Sequence, residues 1–167
     1  LDRTQAKQIG QSLGVKSTLI GIITAYAIMV GLISIDETYL EAFLWVTRIE
    51  YWLNILVGAL GLIMSGYVYG GLAGINILIN KKDYEWIGIA YGFLTLWTGT
   101  ILGSTVGFLD EGLDNIGTYD NPFVDYYFKP LFWVTFFGFI PVIIVGLWFG
   151  RRIKMNGKKV NHENSFR

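Results

Sequence analysis

Four long stretches without a charged residue constrain this chain more than any other feature. One of them, residues 51–80, holds no Asp, Glu, Lys or Arg at all. About 20 mostly apolar residues suffice for a helix to cross the hydrocarbon core of a bilayer. Four segments reach that length: residues 17–35, 52–79, 86–109 and 131–150. The sequence therefore predicts an all-α integral membrane protein, an antiparallel bundle of four transmembrane helices.

The charges predict the orientation of that bundle. The chain carries 13 basic and 13 acidic residues and no net charge. Counted by predicted side, most basic residues lie at the two termini and between spans two and three, and most acidic residues lie in the other two connections. Lys and Arg in short loops mark the cytoplasmic side. We therefore expect both termini on the cytoplasmic side of a bacterial inner membrane or of an organellar inner membrane.

The polar segments divide the chain around this transmembrane domain, residues 17–150. Residues 1–16 form a cytoplasmic N-terminal segment, which we expect to be a disordered lead-in, with a short interfacial helix as the alternative. Residues 36–50 mix acids with apolar and aromatic side chains, which suits either a helix in the headgroup layer or an extension of span two. Residues 110–129 form an outer loop. Residues 151–167 form a basic cytoplasmic tail, expected to be mobile.

Glycine supplies the one repeated pattern. Small residues recur at intervals of about four along spans two and three, which places them on one face of each helix. Such faces let backbones approach closely in lipid. We predict that they pack these two spans together, with packing on another copy or subunit, or the lining of a narrow passage, as alternatives. The predicted helix-packing residues are Gly58, Gly61, Ser65, Gly66, Gly70, Gly74, Gly88, Gly92, Gly99, Gly103 and Gly107.

No residue set dictates a chemistry. The chain has no cysteine and one histidine, His162, which leaves no thiolate site and no pair of histidines for haem or zinc. The sequence thus predicts no catalytic residue, no cofactor and no metal. A calcium ion held by the outer acids is a weaker alternative. Those acids are Asp110, Glu111, Asp114, Asp120 and Asp125.

Polar groups suggest two further sites. No ionisable residue lies in the middle of a predicted span, which disfavours an ion-coupled transporter made by one copy. Span three is the richest in hydroxyl groups, so a polar path would run beside Thr95, Thr98 and Ser104. At the start of the tail, anionic lipid headgroups are predicted to meet Arg151, Arg152 and Lys154.

These observations predict a non-catalytic polytopic subunit that packs within a larger membrane complex for respiration, transport or secretion. Its partners are the bilayer and other subunits or copies of itself, and no nucleic acid. The alternative is a homo-oligomeric channel or facilitator for a small solute. A third reading, a membrane enzyme, would need Asp110 and Glu111 to act as acid and base.

Overall fold

The structure, a computed structural model, describes residues 1–48, 51–117 and 121–164. Helices dominate this part of the chain, and it contains no β-strand. Four helices in it are long and apolar enough to cross a membrane. They are α1 (Arg3–Ile33), α3 (Trp52–Leu78), α4 (Tyr84–Gly107) and α5 (Lys129–Asn164). A short helix, α2 (Tyr39–Phe43), follows α1.

The first long helix begins much earlier than its apolar stretch. Residues 1–16, expected as a disordered lead-in, are instead helical from Arg3 onward. Asp2 caps this helix, since its carboxylate accepts a 2.7 Å hydrogen bond from the Gln5 backbone N–H. The Gln5 side chain in turn accepts from the Asp2 N–H, which completes a capping box. This reciprocal pair satisfies two backbone donors and fixes the start of α1.

The last long helix likewise outruns its apolar stretch. The segment after Gly150, expected as a mobile tail, continues α5 to Asn164. A side chain at Gly157 would meet the Leu78 side chain at the end of α3. Ile153 is fully buried and joins Leu13, Ala73, Ile77 and Phe149 in the main apolar cluster. Packing against α1 and α3 therefore holds the first turns of the basic segment in place.

The connections near the acidic residues are also largely helical. Residues 36–48 hold α2 and a 3₁₀ turn at Trp45–Arg48. Over these residues the alternative of a continuous extension of span two is not found; residues 49 and 50 lie outside the described part. The Tyr26 ring of α1 lies edge-on to Phe43 and stacked near Trp45, with centroids 5.7 and 6.3 Å away. π-helical turns at Phe108–Gly112 and Val124–Phe128 extend α4 and precede α5. Single π turns of this kind tend to mark local strain or function.

Neighbouring long helices run in opposite directions. α3 packs against α1 and α4, and α5 packs against α4 and α1. Ala6 meets Gly74, and Tyr84 meets Gly150, so four chain segments share one end of the molecule. We call it the basic end: it holds the start of α1, the turn between α3 and α4, and the last part of α5. The opposite end, with residues 36–48, 108–117 and 121–128, is the acidic end.

Candidate functional site

The glycines of α3, the second apolar stretch, pack against two different helices. A Cβ at Gly70 would lie 2.9 Å from the Cα of Gly14, and one at Gly74 would lie 3.0 Å from the Cα of Gly10. A Cβ at Gly66 would lie 3.2 Å from the Cβ of Thr18. The partner of these three glycines is thus α1, whereas the sequence suggested α4. Backbones this close leave no room for any side chain.

The glycines in the first half of α3 face α4. A Cβ at Gly58 would lie 3.6 Å from the Cα of Gly103, and one at Gly61 would lie 3.4 Å from the Cα of Gly99. At Gly107 an added Cβ would meet Asn54 Nδ2 at 2.7 Å. Small residues therefore do line the contact between these two helices, over its half nearer the acidic end.

The remaining predicted glycines face α5. A Cβ at Gly88 would lie 3.0 Å from the carbonyl carbon of Gly146, and one at Gly92 would lie 3.1 Å from Val142 Cγ1. Sequence reasoning overlooked the partners Gly146 and Gly150, and also Gly10 and Gly14 on α1. Both overlooked pairs show the spacing of four that marks a packing face in lipid. The signal was present, but it lay in segments read as a polar terminus and as an aromatic span.

Hydrogen bonds tie together the polar groups between α3 and α4. Ser65 Oγ donates to the Gly61 carbonyl at 2.7 Å and lies 3.4 Å from the Thr95 carbonyl. Asn76 Nδ2 donates to the Tyr91 hydroxyl at 2.8 Å. The Tyr69 hydroxyl and Thr98 Oγ1 are 3.2 Å apart. These pairs cross between the two helices at three levels.

Of the three hydroxyl groups predicted to line a polar path, that of Thr98 already has partners within the protein. Thr98 Oγ1 donates to the Leu94 carbonyl at 2.8 Å in addition to its contact with Tyr69. Thr95 offers its carbonyl to Ser65, and Ser104 is half-buried on the same helix. The rings of Tyr69 and Tyr91 stack with centroids 6.0 Å apart and fill the space between the hydroxyl pairs. This arrangement serves helix packing.

The outer acids within the described part of the chain do not converge. Glu111 accepts a 2.9 Å hydrogen bond from the Tyr126 hydroxyl, and Asp125 pairs with Lys129 one turn away. Among the residues that the structure describes, no three His, Cys, Asp or Glu side chains come close enough to share a metal ion. Asp120 lies outside the described residues. The structure thus gives no geometric support to a calcium site or to an acid–base pair at Asp110 and Glu111.

At the basic end, two of the predicted headgroup residues lie over aromatic rings. Lys154 Nζ is 4.3 Å from the centroid of the Tyr84 ring, and the Arg152 guanidinium carbon is 5.5 Å from that of Trp148. Cations over ring faces gain electrostatic stabilisation. An open cavity of about 440 Å³ lies beside Lys154, with Lys81, Lys82 and Glu85 in its wall. Arg151, which directly precedes Arg152, is exposed.

An apolar recess lies between α4 and α5 toward the acidic end. It has a volume of about 920 Å³ and opens to the surface. Its wall includes Trp97, Phe132, Phe136 and Ile140, with Thr135 as the polar member. The Trp97 indole N–H donates to Thr135 Oγ1 at 3.0 Å. Acyl chains would fill such a recess in a bilayer.

Comparison with known proteins adds no relative. The chain matches no family model, and searches of curated proteins and of solved structures found no match. Its function must therefore be argued from its own residues.

Proposed function

We propose that this chain is a non-catalytic subunit of a larger membrane protein complex. In this proposal the four long helices cross the membrane as an antiparallel bundle, with both termini on the cytoplasmic side. The membrane is a bacterial inner membrane. The support for this orientation is the charge pattern, because the end that holds both termini is the basic one.

One observation carries the proposal: three polar side chains of α3 at the α3–α4 contact each form a hydrogen bond to α4. Ser65, Asn76 and Tyr69 each reach across to α4 and find a partner there. Glycine contacts join α1 to α3, α3 to α4 and α4 to α5. A set of helices whose polar and small residues contact one another inside the protein suits a structural role. In that role the outward faces of the helices contact lipid and other proteins.

The same hydrogen bonds weigh against a solute channel. A path along α4 would need free hydroxyl groups facing an open passage, and Thr98 instead makes two contacts inside the protein. The recess beside α4 is walled almost entirely by apolar side chains. A small polar solute would lose its hydration there without replacement.

The basic end fits a role at the cytoplasmic surface. Arg151, Arg152 and Lys154 follow the apolar part of α5 at the level where α4 begins. In the proposed orientation these cations lie among the headgroups, and each contributes about 1 kcal/mol of attraction to an anionic leaflet. They hold α5 at a fixed depth in the bilayer.

Native mass measurement tests the subunit role. The tagged chain, expressed from its own locus, is extracted with a mild detergent, and the mass and composition of the particle are determined. We expect a particle in which this chain and at least one different polypeptide occur in fixed ratio. A particle that contains only copies of this chain would overturn the proposal and would make solute flux into liposomes the next measurement.

A further inference from the structure

The exposed surface of α1 changes character abruptly at Ser17. Every exposed residue from Asp2 to Lys16 is polar or charged, and the exposed residues of the following part of the helix are apolar. Gln8, Ser12 and Lys16 are all exposed and recur at intervals of four, which places them in one line along the helix. We call these three residues the α1 polar face. The buried side of the same turns holds Ala6, Gly10, Leu13 and Gly14.

On the neighbouring helices the change from apolar to charged lies much nearer the basic end. Thr18 of α1 packs on Gly66 of α3, and the uncharged stretch of α3 runs on for thirteen more residues to Ile79. Thirteen helical residues span about 20 Å. At the depth of the α1 polar face, α3 exposes Val68 at 55% and α5 exposes Ile144 at 62% of their surfaces. Polar and apolar surfaces thus lie side by side at one level.

Only one placement of the bilayer suits the other three helices. If the hydrocarbon core begins where Tyr84 meets Gly150, its thickness of about 30 Å takes in the apolar lengths of α3, α4 and α5. Lys7 then lies near the boundary, and Lys16, nine residues further along the helix, lies about 14 Å deeper. Lys16 is thereby near the middle of the core. This placement differs from the expectation, based on spans read from the sequence, that no ionisable residue lies at the middle of a span.

The other placement begins the core at Ser17 and is far less favourable. Ser65 meets Thr95, and Leu96 meets Gly138, so the boundary on α4 and α5 would lie near those residues. Residues 139–149 of α5 would then be exposed to water. This segment is strongly apolar, with four consecutive isoleucine and valine side chains at residues 142–145. Charged residues of the acidic end would enter the core instead: Asp110, Glu111, Asp125 and Lys129. Charged side chains in the hydrocarbon core are costly, and this placement puts four of them there, whereas the first placement puts only Lys16 near the middle.

We infer that the α1 polar face binds a transmembrane helix of another protein subunit, which carries a carboxylate at the depth of Lys16. This inference rests on the proposed function and names the surface that would carry it out. Lipid is an unsuitable occupant, because acyl chains cannot hydrogen-bond Gln8 or Ser12 and the Lys16 stem cannot reach a headgroup about 14 Å away. In the described part of the chain, the Lys16 side chain makes no ion pair or hydrogen bond.

Charge also excludes a second copy of this chain as the occupant. A two-fold axis along the membrane normal would place Lys16 opposite Lys16. Contact with any other face would need an acid at the same depth, and all acidic residues of this chain lie at the ends of the long helices or in their connections. A partner of different sequence, with an Asp or Glu inside its own span, supplies the missing charge.

Single cysteines test the location of this contact. The chain has no cysteine of its own, so S12C and the control I144C each introduce one thiol for a bimane label. In nanodiscs with brominated acyl chains that hold the purified complex, we expect quenching of the label at residue 144 and little at residue 12. Equal quenching at both positions would show lipid on the α1 polar face and overturn the inference. Rapid reaction of S12C with a membrane-impermeant maleimide would show water there and would overturn it as well.

Lys16 variants test the charge. Lys16→Leu makes α1 more apolar, so insertion into the membrane is preserved while the ion pair is lost; Lys16→Arg keeps the charge. We expect Lys16→Leu to lower the amount of co-purified partner by about tenfold or more, and Lys16→Arg to retain it. Unchanged partner yield from Lys16→Leu would refute this inference and leave the subunit role standing. A wild-type particle without any partner would refute the subunit role itself.

Discussion

Replacing Gly10 by alanine adds one methyl group at the point where α1 and α3 are closest. The new Cβ would overlap the Gly70 carbonyl oxygen and lie 2.8 Å from the Gly74 nitrogen. These are backbone atoms of a helix, so they cannot rotate away as a side chain could. The two helices must separate instead, and the neighbouring contacts at Gly14 and Thr18 loosen with them. We expect Gly10→Ala to destabilise the protein.

The same substitution at Gly21 isolates the steric cost. Gly21 lies in the same helix, and a Cβ there would meet nothing within 4 Å. Alanine stabilises a helix by about 1 kcal/mol relative to glycine, and this gain is common to both variants. Insertion of a methyl group into a close-packed contact costs about 1–3 kcal/mol. The free energy of unfolding of the Gly10→Ala variant should therefore be about 1–3 kcal/mol lower than that of the Gly21→Ala variant.

A buried thiol reports the unfolding. Ser17 is only 8% exposed, and Ser17→Cys places the one thiol of the chain beside the α1–α3 contact. Its reaction with a maleimide is followed in mild detergent as the SDS fraction increases, in the background of each glycine variant. If Gly10→Ala and Gly21→Ala expose the thiol at the same SDS fraction, the close approach of α1 and α3 described here is wrong.

Three further experiments test single features of the fold. Asn76→Leu and Tyr91→Phe each remove the same hydrogen bond between α3 and α4. In a double-mutant cycle measured by SDS unfolding, the coupling free energy between the two substitutions should be about 0.6 kcal/mol. A coupling of zero would mean that the bond is absent. Lys81 has φ 55°, and the Lys82 backbone N–H donates to the Asn76 carbonyl at 3.0 Å, which is the pattern of a helix end that favours glycine. Lys81→Gly should therefore stabilise the protein by about 1 kcal/mol, whereas the control Lys82→Gly should not. Asp2→Ala removes the cap of α1 and should speed amide hydrogen exchange in the first turn, as expected for a loss of about 1 kcal/mol, and unchanged exchange would contradict the capping box.

The apolar stretches determined the class of this protein without any structure. A helix satisfies its own backbone hydrogen bonds, so a run such as residues 131–150 predicts a membrane-spanning helix from composition alone. Four such helices are found in the described part of the chain. The helix ends were harder to predict. Both α1 and α5 continue through polar residues, because burial of Ala6, Leu13 and Ile153 against other helices stabilises turns whose outward side chains are polar.

The partners of the small residues could not be read from the sequence. A repeat of glycine every four residues marks a face that tolerates close approach, but it does not say which helix approaches. Gly66, Gly70 and Gly74 look equivalent to Gly58 in sequence, yet they lie against α1 while Gly58 lies against α4. Only the three-dimensional arrangement decides this, because each helix presents several faces and all four helices compete for them.

Sequence alone thus determined the number of long apolar helices, the segregation of charge and the absence of cysteine chemistry, since each follows from the side chains themselves. The tertiary structure decided the depth of each residue relative to its neighbours. The register of Thr18 on Gly66 brings the polar turns of α1 beside apolar turns of α3 and α5. The physical reason is that the hydropathy of a segment depends only on its own side chains. The depth of Lys16 relative to the other helices instead depends on backbone contacts between segments about fifty residues apart in the chain.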